Sequence, residues 1–231
     1  MLERKIDSDG IFKFISDNGH YLGYEKGQII DNTGEKSYIY AVLEGCIIVK
    51  QSSLNGKELI TKIIGPGNFF VLDISEYDSI NNQYYALAKT ECNLIKLNKD
   101  VFINELDKNT SLRMIWEAYV YTQVNKKNLI IRDFTLFGKK GALYSTLIRL
   151  VSTYSCKINE SYKISIKLSH EELAQICGTT REFISRSMKQ LQRDNIISYD
   201  NTDHCIIIRN ISFLRKFIHC ENCPLDICDC S

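Results

Sequence analysis

No long apolar run occurs in the 231 residues. Hydrophobic stretches such as IIVK at 47–50 and LIKL at 94–97 are too short to span a bilayer, and MLERKIDSDG at the start lacks the apolar core of a signal peptide. These absences predict a cytoplasmic protein with no membrane partner. Charge of either sign is not in excess either: 29 basic residues stand against 28 acidic ones, so any basic surface for nucleic acid must be local. Histidine is scarce. His20, His170 and His204 lie in scattered contexts that offer no acid–base constellation, and the chain reads as something other than an enzyme. Hydrophobic content of 44% is nevertheless enough for one large domain or two small ones with buried cores.

Cysteine is plentiful, with nine residues. A reducing compartment disfavours structural disulfides, so clustered thiols there point to metal or redox chemistry. Cys46, Cys92, Cys156, Cys177 and Cys205 are scattered, mostly among apolar neighbours, and read as small buried hydrophobes. The remaining four crowd into HCENCPLDICDCS, where Cys220, Cys223 and Cys228 have the spacing C-x2-C-x4-C and Cys230 follows. Thiolates are soft ligands suited to zinc and to iron–sulfur clusters. Zinc would take Cys220, Cys223, Cys228 and either Cys230 or His219, a cubane cluster would find three of its four ligands in the motif, and a dithiol switch would need only two thiols. Spacing alone leaves iron, zinc and the switch open.

Three segments are distinguishable. Residues 20–97 read as short strands cut by turn signals (EKGQ, NTGEK, LEGC, SLNGKE, GPGN, DSINNQ), with Gly45, Gly56 and Gly67 at 11-residue intervals. That pattern predicts a small β-barrel or roll over 1–110. A short helix at Asp100–Leu106 and a long helix from about Ser111 follow. Leu112, Ile115, Tyr119, Thr122, Lys126 and Leu129 step by three and four, and the next step lands on Asp133. Over 111–137 this heptad-like seam reads as a homodimer interface, with packing of the stripe on the chain's own β domain as the alternative. Residues 138–218 read as helix, strand, two helices, two strands and helix, and 219–231 are the cysteine tail. The fold class is α+β.

The two central helices of that third segment carry the clearest local signals. Ser169 and Glu172 form a capping box, the helix stops at Cys177–Gly178, and Thr179–Thr180–Arg181–Glu182 opens the next helix, again at capping-box spacing. Ile184, Met188 and Leu191 point inward, which leaves Arg181, Ser185, Arg186 and Lys189 outward. Two short helices joined by a glycine turn and followed by a hairpin make a winged helix-turn-helix. Arginine forks match guanine, and a carboxylate accepts from cytosine N4, so Arg181, Glu182, Ser185 and Arg186, with Thr179, Thr180 and Lys189 beside them, predict binding to double-stranded DNA. Glu182 has a second reading as a cap of its own helix. Lys139, Lys140 and the tip of the wing are candidates for phosphate contacts.

This order of parts, and Arg181-Glu182-Phe-Ile-Ser185-Arg186 above all, resembles the CRP/FNR family of bacterial transcription regulators over almost the whole chain. The resemblance implies an N-terminal cyclic-nucleotide-binding-like β-roll, a long dimerisation helix and a C-terminal winged helix-turn-helix. It also implies a homodimer on a palindrome. Arg181, Glu182 and Arg186 match readers of a TGTGA-like half-site, Glu182, Ser185 and Arg186 match the TTGAT-reading branch, and the sequence fills all four positions. Cyclic-nucleotide binding is not expected. The Gly-Glu-Leu turn of the nucleotide-binding members is Gly67-Asn68-Phe69 here, no arginine occurs between Arg4 and Arg113 to hold a phosphate, and Lys89-Thr90 is followed by Glu91. Activation would need an RNA polymerase-contacting surface, which no motif marks.

HCENCPLDIC together with RDFTLFGKKGALYSTLIRL at 132–150 resembles the Bacillus-type FNR subgroup. That resemblance implies a [4Fe–4S] cluster on Cys220, Cys223 and Cys228, with Asp133 as fourth ligand and Cys230 as the alternative, and hence oxygen or redox sensing. By itself Asp133 reads as a helix cap or the partner of a nearby arginine. The alternative for the whole chain is a regulator of the same family that responds to a small molecule in the roll, or to nothing, with zinc or a dithiol switch in the tail.

Overall fold

The computed structural model describes residues 9–30, 37–53, 56–72 and 82–221. Cys223, Cys228 and Cys230 lie outside the described residues. The chain divides near Gln123 into two compact units, residues 1–123 and 124–230.

The first unit begins with a helix that the strand pattern gave no reason to expect, α1 (Asp9–Asn18), which buries Ile11 and Ile15 one turn apart. It stops at Gly19, where a Cβ would stand 2.5 Å from the Ile95 side chain and 2.6 Å from the Ile15 carbonyl. Among the described residues eight strands follow: β1 (His20–Tyr24), β2 (Ile29–Ile30), β3 (Tyr38–Glu44), β4 (Ile47–Ser53), β5 (Glu58–Ile64), β6 (Phe69–Leu72), β7 (Asn82–Ala88) and β8 (Cys92–Asn98). They form two antiparallel sheets in the orders β1-β8-β3-β6 and β2-β7-β4-β5. Alternation along β3 divides the core. Tyr40 and Val42 join Ile47, Val49, Phe70 and Leu94 in one cluster, whereas Ile39 and Ala41 face Ile11, Ile15 and Ile95 in the other. Gly45 takes φ +89°, and a Cβ there would lie 2.3 Å from the Glu91 carbonyl, so this corner admits only glycine.

Helix α2 (Lys99–Lys108) is capped by Asn98, whose side chain accepts from the Asp100 and Val101 N–H groups. Helix α3 (Thr110–Tyr154) is broken once, at Gly138 with φ 61° and ψ −157°. The start of the stripe predicted for its first half packs on the chain's own roll. Leu112 is buried in the α1–α2 core, with Ile115, Trp116 and Tyr119 packed against it. The helix buries this stripe on its own roll, where Phe69 and Phe102 meet Trp116 in T-shaped contacts at 6.4 and 4.9 Å between ring centroids. Farther along the same register Lys126 and Asp133 are buried too. A different register is left exposed, carrying Val120, Val124, Ile131 and Phe134 at steps of four and three with Lys127 between.

In the second unit, α3 beyond Gly138 is buried on all sides from Gly141 to Leu150. Around it lie β9 (Ser155–Ile158), β10 (Ser161–Ile164), α4 (His170–Cys177), α5 (Arg181–Arg193), β11 (Ile197–Tyr199), β12 (Ile206–Ile208) and α6 (Ile211–Phe217), the strands in the order β11-β12-β10-β9. No helix among the described residues is long and apolar enough to cross a membrane.

Candidate functional site

Helices α4 and α5 form the helix-turn-helix from local signals. Ser169 accepts from the Glu172 N–H at 3.1 Å while the Glu172 carboxylate takes the Ser169 N–H at 2.8 Å, which closes the predicted capping box. Gly178 ends α4 in the left-handed region at φ 58°. The second box does not form. The cap of α5 is Thr180, whose hydroxyl accepts from the Phe183 N–H at 3.3 Å, so Glu182 falls one position short of the reciprocal contact. Thr179 instead lies half-buried in the turn, its N–H bonded to the Ala174 carbonyl. Its hydroxyl is buried with no hydrogen-bond partner, an arrangement unsuited to reaching DNA.

On α5 the side chains divide by face. Ile184, Ser187, Met188 and Leu191 are buried, Ser185 is half-buried, and Arg181, Glu182, Arg186 and Lys189 are exposed. The Glu182 carboxyl is held below the ordinary carboxylate range, first by its own backbone N–H, then by the Thr180 hydroxyl and the Arg181 and Arg186 charges. It stays an ionised acceptor among arginine donors. Lys139 Nζ stands 6.0 Å from the Phe183 ring centroid, which sets one predicted phosphate contact beside α5. Behind the helix, His170 lies 3.4 Å from the Tyr199 hydroxyl, and its pKa is lowered by burial and by the Arg181 and Lys189 charges. The wing tip differs from expectation. Asp200 and Asp203 lie there, both ion-paired with Lys163 at 2.9 and 2.7 Å, and two carboxylates repel phosphate.

A second constellation surrounds Asp133. Its carboxylate is 1% exposed. Oδ1 accepts from Arg132 Nε at 2.9 Å and Nη2 at 2.6 Å, and Oδ2 from Ser145 Oγ at 2.5 Å and Arg149 Nη2 at 3.4 Å. The arginine-partner reading of this residue therefore holds. The Gly138 break makes the network possible by folding α3 back on itself. Gly141 sits so close that a Cβ would lie 2.6 Å from the Asp133 carbonyl. Ser145 and Arg149 were missed in the sequence, although an arginine inside ALYSTLIRLV is the usual mark of a buried ion pair.

One turn beyond Asp133 on α3, Phe137 packs its ring 5.7 Å from His219 and 6.3 Å from Phe217. Helix α6 ends there in a Schellman motif, with Cys220 N–H bonded to the Arg215 carbonyl at 3.0 Å and His219 N–H to Lys216 at 3.4 Å. His219 occupies the left-handed position at φ 52°, where glycine is usual. The backbone thus fixes the start of the tail, and Cys220 is buried at 4% exposure. Among the described residues no three His, Cys, Asp or Glu side chains come together to hold a metal ion, and the other cysteines of the motif lie outside them. Of the scattered cysteines, Cys46, Cys92, Cys177 and Cys205 are buried as predicted, and burial pushes the Cys177 thiol up to about 12. Cys156 is exposed, contrary to expectation, at the start of β9.

In the roll, the Gly67-Asn68-Phe69 turn is occupied with itself. The Asn68 amide donates to the Gly65 and Pro66 carbonyls, and the Phe69 peptide meets the Tyr119 hydroxyl at 3.3 Å on both its N–H and its C=O. Thr90 is likewise used by the fold, its hydroxyl accepting the Cys46 N–H at 2.9 Å.

Comparison with known proteins matches the Crp-like helix-turn-helix domain over residues 142–217 and the cyclic nucleotide-binding domain over residues 22–109. The anaerobic regulatory protein of Bacillus subtilis strain 168 is 33% identical over 193 residues, 83% of this chain and 80% of that one. The cAMP-activated global transcriptional regulator CRP of Haemophilus influenzae is 20% identical over 196 residues, 84% and 87% of the two chains. Among solved structures, a variant of CooA from Carboxydothermus hydrogenoformans aligns with a TM-score of 0.69 at 17% identity, covering 94% of this chain and 97% of that one, a likeness of fold.

Proposed function

Since this chain belongs to the CRP/FNR family of DNA-binding transcription regulators, we propose that it is a homodimeric sensor. In this reading a [4Fe–4S] cluster in the second unit governs binding to a palindromic TGTGA/TTGAT-like operator. Arg181, Glu182, Ser185 and Arg186 read base edges, Thr180 orients the start of α5, and Lys139, Lys140 and Lys189 supply positive charge for phosphates. The exposed Val120, Val124, Ile131 and Phe134 stripe on α3 forms the dimer seam. The roll carries no cyclic nucleotide in this reading, since Asn68 is committed to its own turn and the Thr90 hydroxyl to the Cys46 N–H.

Cys220, Cys223 and Cys228 as thiolates and Asp133 as carboxylate hold the cluster, with Cys230 as the alternative fourth donor. When bound, the cluster supplies a centre open to attack by oxygen or nitric oxide. Cys220 ends α6 and Asp133 precedes the Gly138 break, so the four ligands together tie the end of the second unit to α3. Release of that tie shifts the population away from the arrangement in which two recognition helices match one palindrome.

What supports this reading is the 33% identity to the anaerobic regulatory protein of Bacillus subtilis, with the contact of Phe137, four residues after Asp133, with His219, which precedes Cys220. Anaerobic purification followed by iron and sulfide analysis tests it. About four irons per chain are expected of a cubane, with loss in the Cys220→Ser variant. A colourless protein that carries zinc instead would replace the cluster by a zinc site.

A further inference from the structure

His170 opens α4 directly after its cap Ser169 and is half-buried. Its Nε2 lies 3.4 Å from the hydroxyl of Tyr199 on β11, itself half-buried. Among the described residues no carboxylate pairs with the imidazole. Charges of both signs surround it. On α5 stand Arg181 and Lys189, both exposed. Its own helix carries the exposed Glu171 and also Glu172, whose carboxylate takes the Ser169 N–H. Lys167 precedes the helix, and Asp200, next to Tyr199, is ion-paired with Lys163. The cations prevail. Burial first, then Arg181 and Lys189, lower the His170 pKa from its ordinary 6.5, so the ring is neutral at neutral pH in the free protein.

A DNA duplex reverses the electrostatic part of this setting. The second helix of a helix-turn-helix enters the major groove while the first crosses the backbone, which brings α4 and its first residue against phosphates. Phosphates also neutralise Arg181 and Lys189, the two charges that repel a proton from the ring. A negative charge close by favours the charged form of histidine. We infer that His170 is a proton-linked phosphate contact, neutral in the free protein and an imidazolium against the backbone in the complex. One proton comes from solvent and one N–H bond forms on the ring; no other bond breaks and no electron moves. The Tyr199 hydroxyl keeps its contact throughout, because a phenol both donates and accepts. The step needs α5 on DNA and does not involve the cluster. A group that holds its proton more tightly in the complex strengthens binding as pH falls through its bound-state value, by at most about tenfold per pH unit for each proton. Phosphate carries no sequence information, so the proton is taken up on any duplex.

The test is DNA affinity of the anaerobically prepared full chain, measured by fluorescence anisotropy at constant ionic strength on the palindromic duplex and on unrelated DNA. From about pH 8 to about pH 6, wild type is expected to tighten roughly tenfold on both duplexes. His170→Gln, which keeps a polar side chain that does not titrate, is expected to lose most of that gain. His20, His204 and His219 are present in both proteins, so the difference between the two slopes belongs to His170. Equal slopes, or a wild type without a slope, overturn the contact. Tyr199→Phe removes the hydroxyl partner and leaves the ring free to titrate, so it is expected to keep the slope. Loss of the slope in that variant assigns the effect to packing of the wing and overturns the contact, and a slope confined to the palindrome does so by assigning the proton to base reading. If His170→Gln does not fold, NMR titration of the wild-type imidazole decides: a higher value with DNA bound is expected, and an unchanged or lower one overturns the contact. Protein without iron, or without preference for the palindrome, defeats the function proposed above and leaves the slope readable on unrelated DNA.

Discussion

Arg186 and Glu182 illustrate how a single side chain is given its task. Both are exposed on α5, and Glu182 is kept ionised by the donors around it, so it presents an acceptor beside guanidinium donors. Arg186→Ala is expected to weaken binding to a TGTGA/TTGAT-type duplex by roughly 10- to 100-fold, with a much smaller loss on unrelated DNA. Fluorescence anisotropy on the two duplexes checks this, and equal losses would make Arg186 a phosphate contact. The wing tip follows a different logic. Asp200 is held below its ordinary value first by the Thr202 hydroxyl and then by Lys163, and Lys163 is raised above its own by Asp203 and Asp200. A depressed carboxylate contributes stability that is present above its unfolded value and lost as pH falls through the folded one. A raised lysine contributes stability that is present below its unfolded value and lost as pH rises through the folded one. The tip is therefore expected to keep its structure from the ordinary aspartate value of 3.8 up to the ordinary lysine value of 10.5. The side-chain carboxyl 13C shifts of Asp200 and Asp203 should show the ionised form across that range, and protonation of either carboxyl above the ordinary aspartate value would contradict the pairing.

Among the elements, α3 is where sequence and structure part company. It carries two heptad-like registers. The one through Leu112, Ile115 and Tyr119 is the more apolar at its start and was the natural reading of a dimer seam, but it is covered by the chain's own α1–α2 core. The second register is legible only once the first is known to be occupied. Ile131 is 63% exposed and Phe134 45% in the single chain, so Ile131→Glu should leave folding intact and convert the dimer to monomer by sedimentation velocity. A variant that remains dimeric at micromolar concentration would place the seam elsewhere. Helices α4 and α5 behaved differently, because a capping box, a left-handed glycine and a 3.6-residue period are all local. The misplaced cap at Thr180 shows the limit of that reading: Thr179 and Thr180 are chemically alike, and the turn after Gly178 chooses between them. The donors to Asp133 from Ser145 and Arg149 were hidden for a non-local reason. They lie 12 and 16 residues away and reach it only because Gly138 breaks the helix.

At the scale of the whole molecule, the chain joins a roll whose nucleotide turn is closed on itself to a DNA-binding unit with a buried carboxylate and a fixed cysteine. The roll and the helix-turn-helix were legible because strands, turns and caps announce themselves over a few residues. The proposed sensing centre was legible only as a tail motif and an aspartate that resembled a known subgroup, while the Schellman end of α6 and the packing of Phe137 on His219 are non-local and left no mark in the sequence. The most direct measurement is operator affinity, taken with the visible absorption spectrum, on one anaerobic sample before and after exposure to air. A brown, iron-containing protein is expected to bind the palindrome tightly and to lose colour and most of its affinity together. A colourless, iron-free protein with the same affinity before and after air would contradict the proposed function.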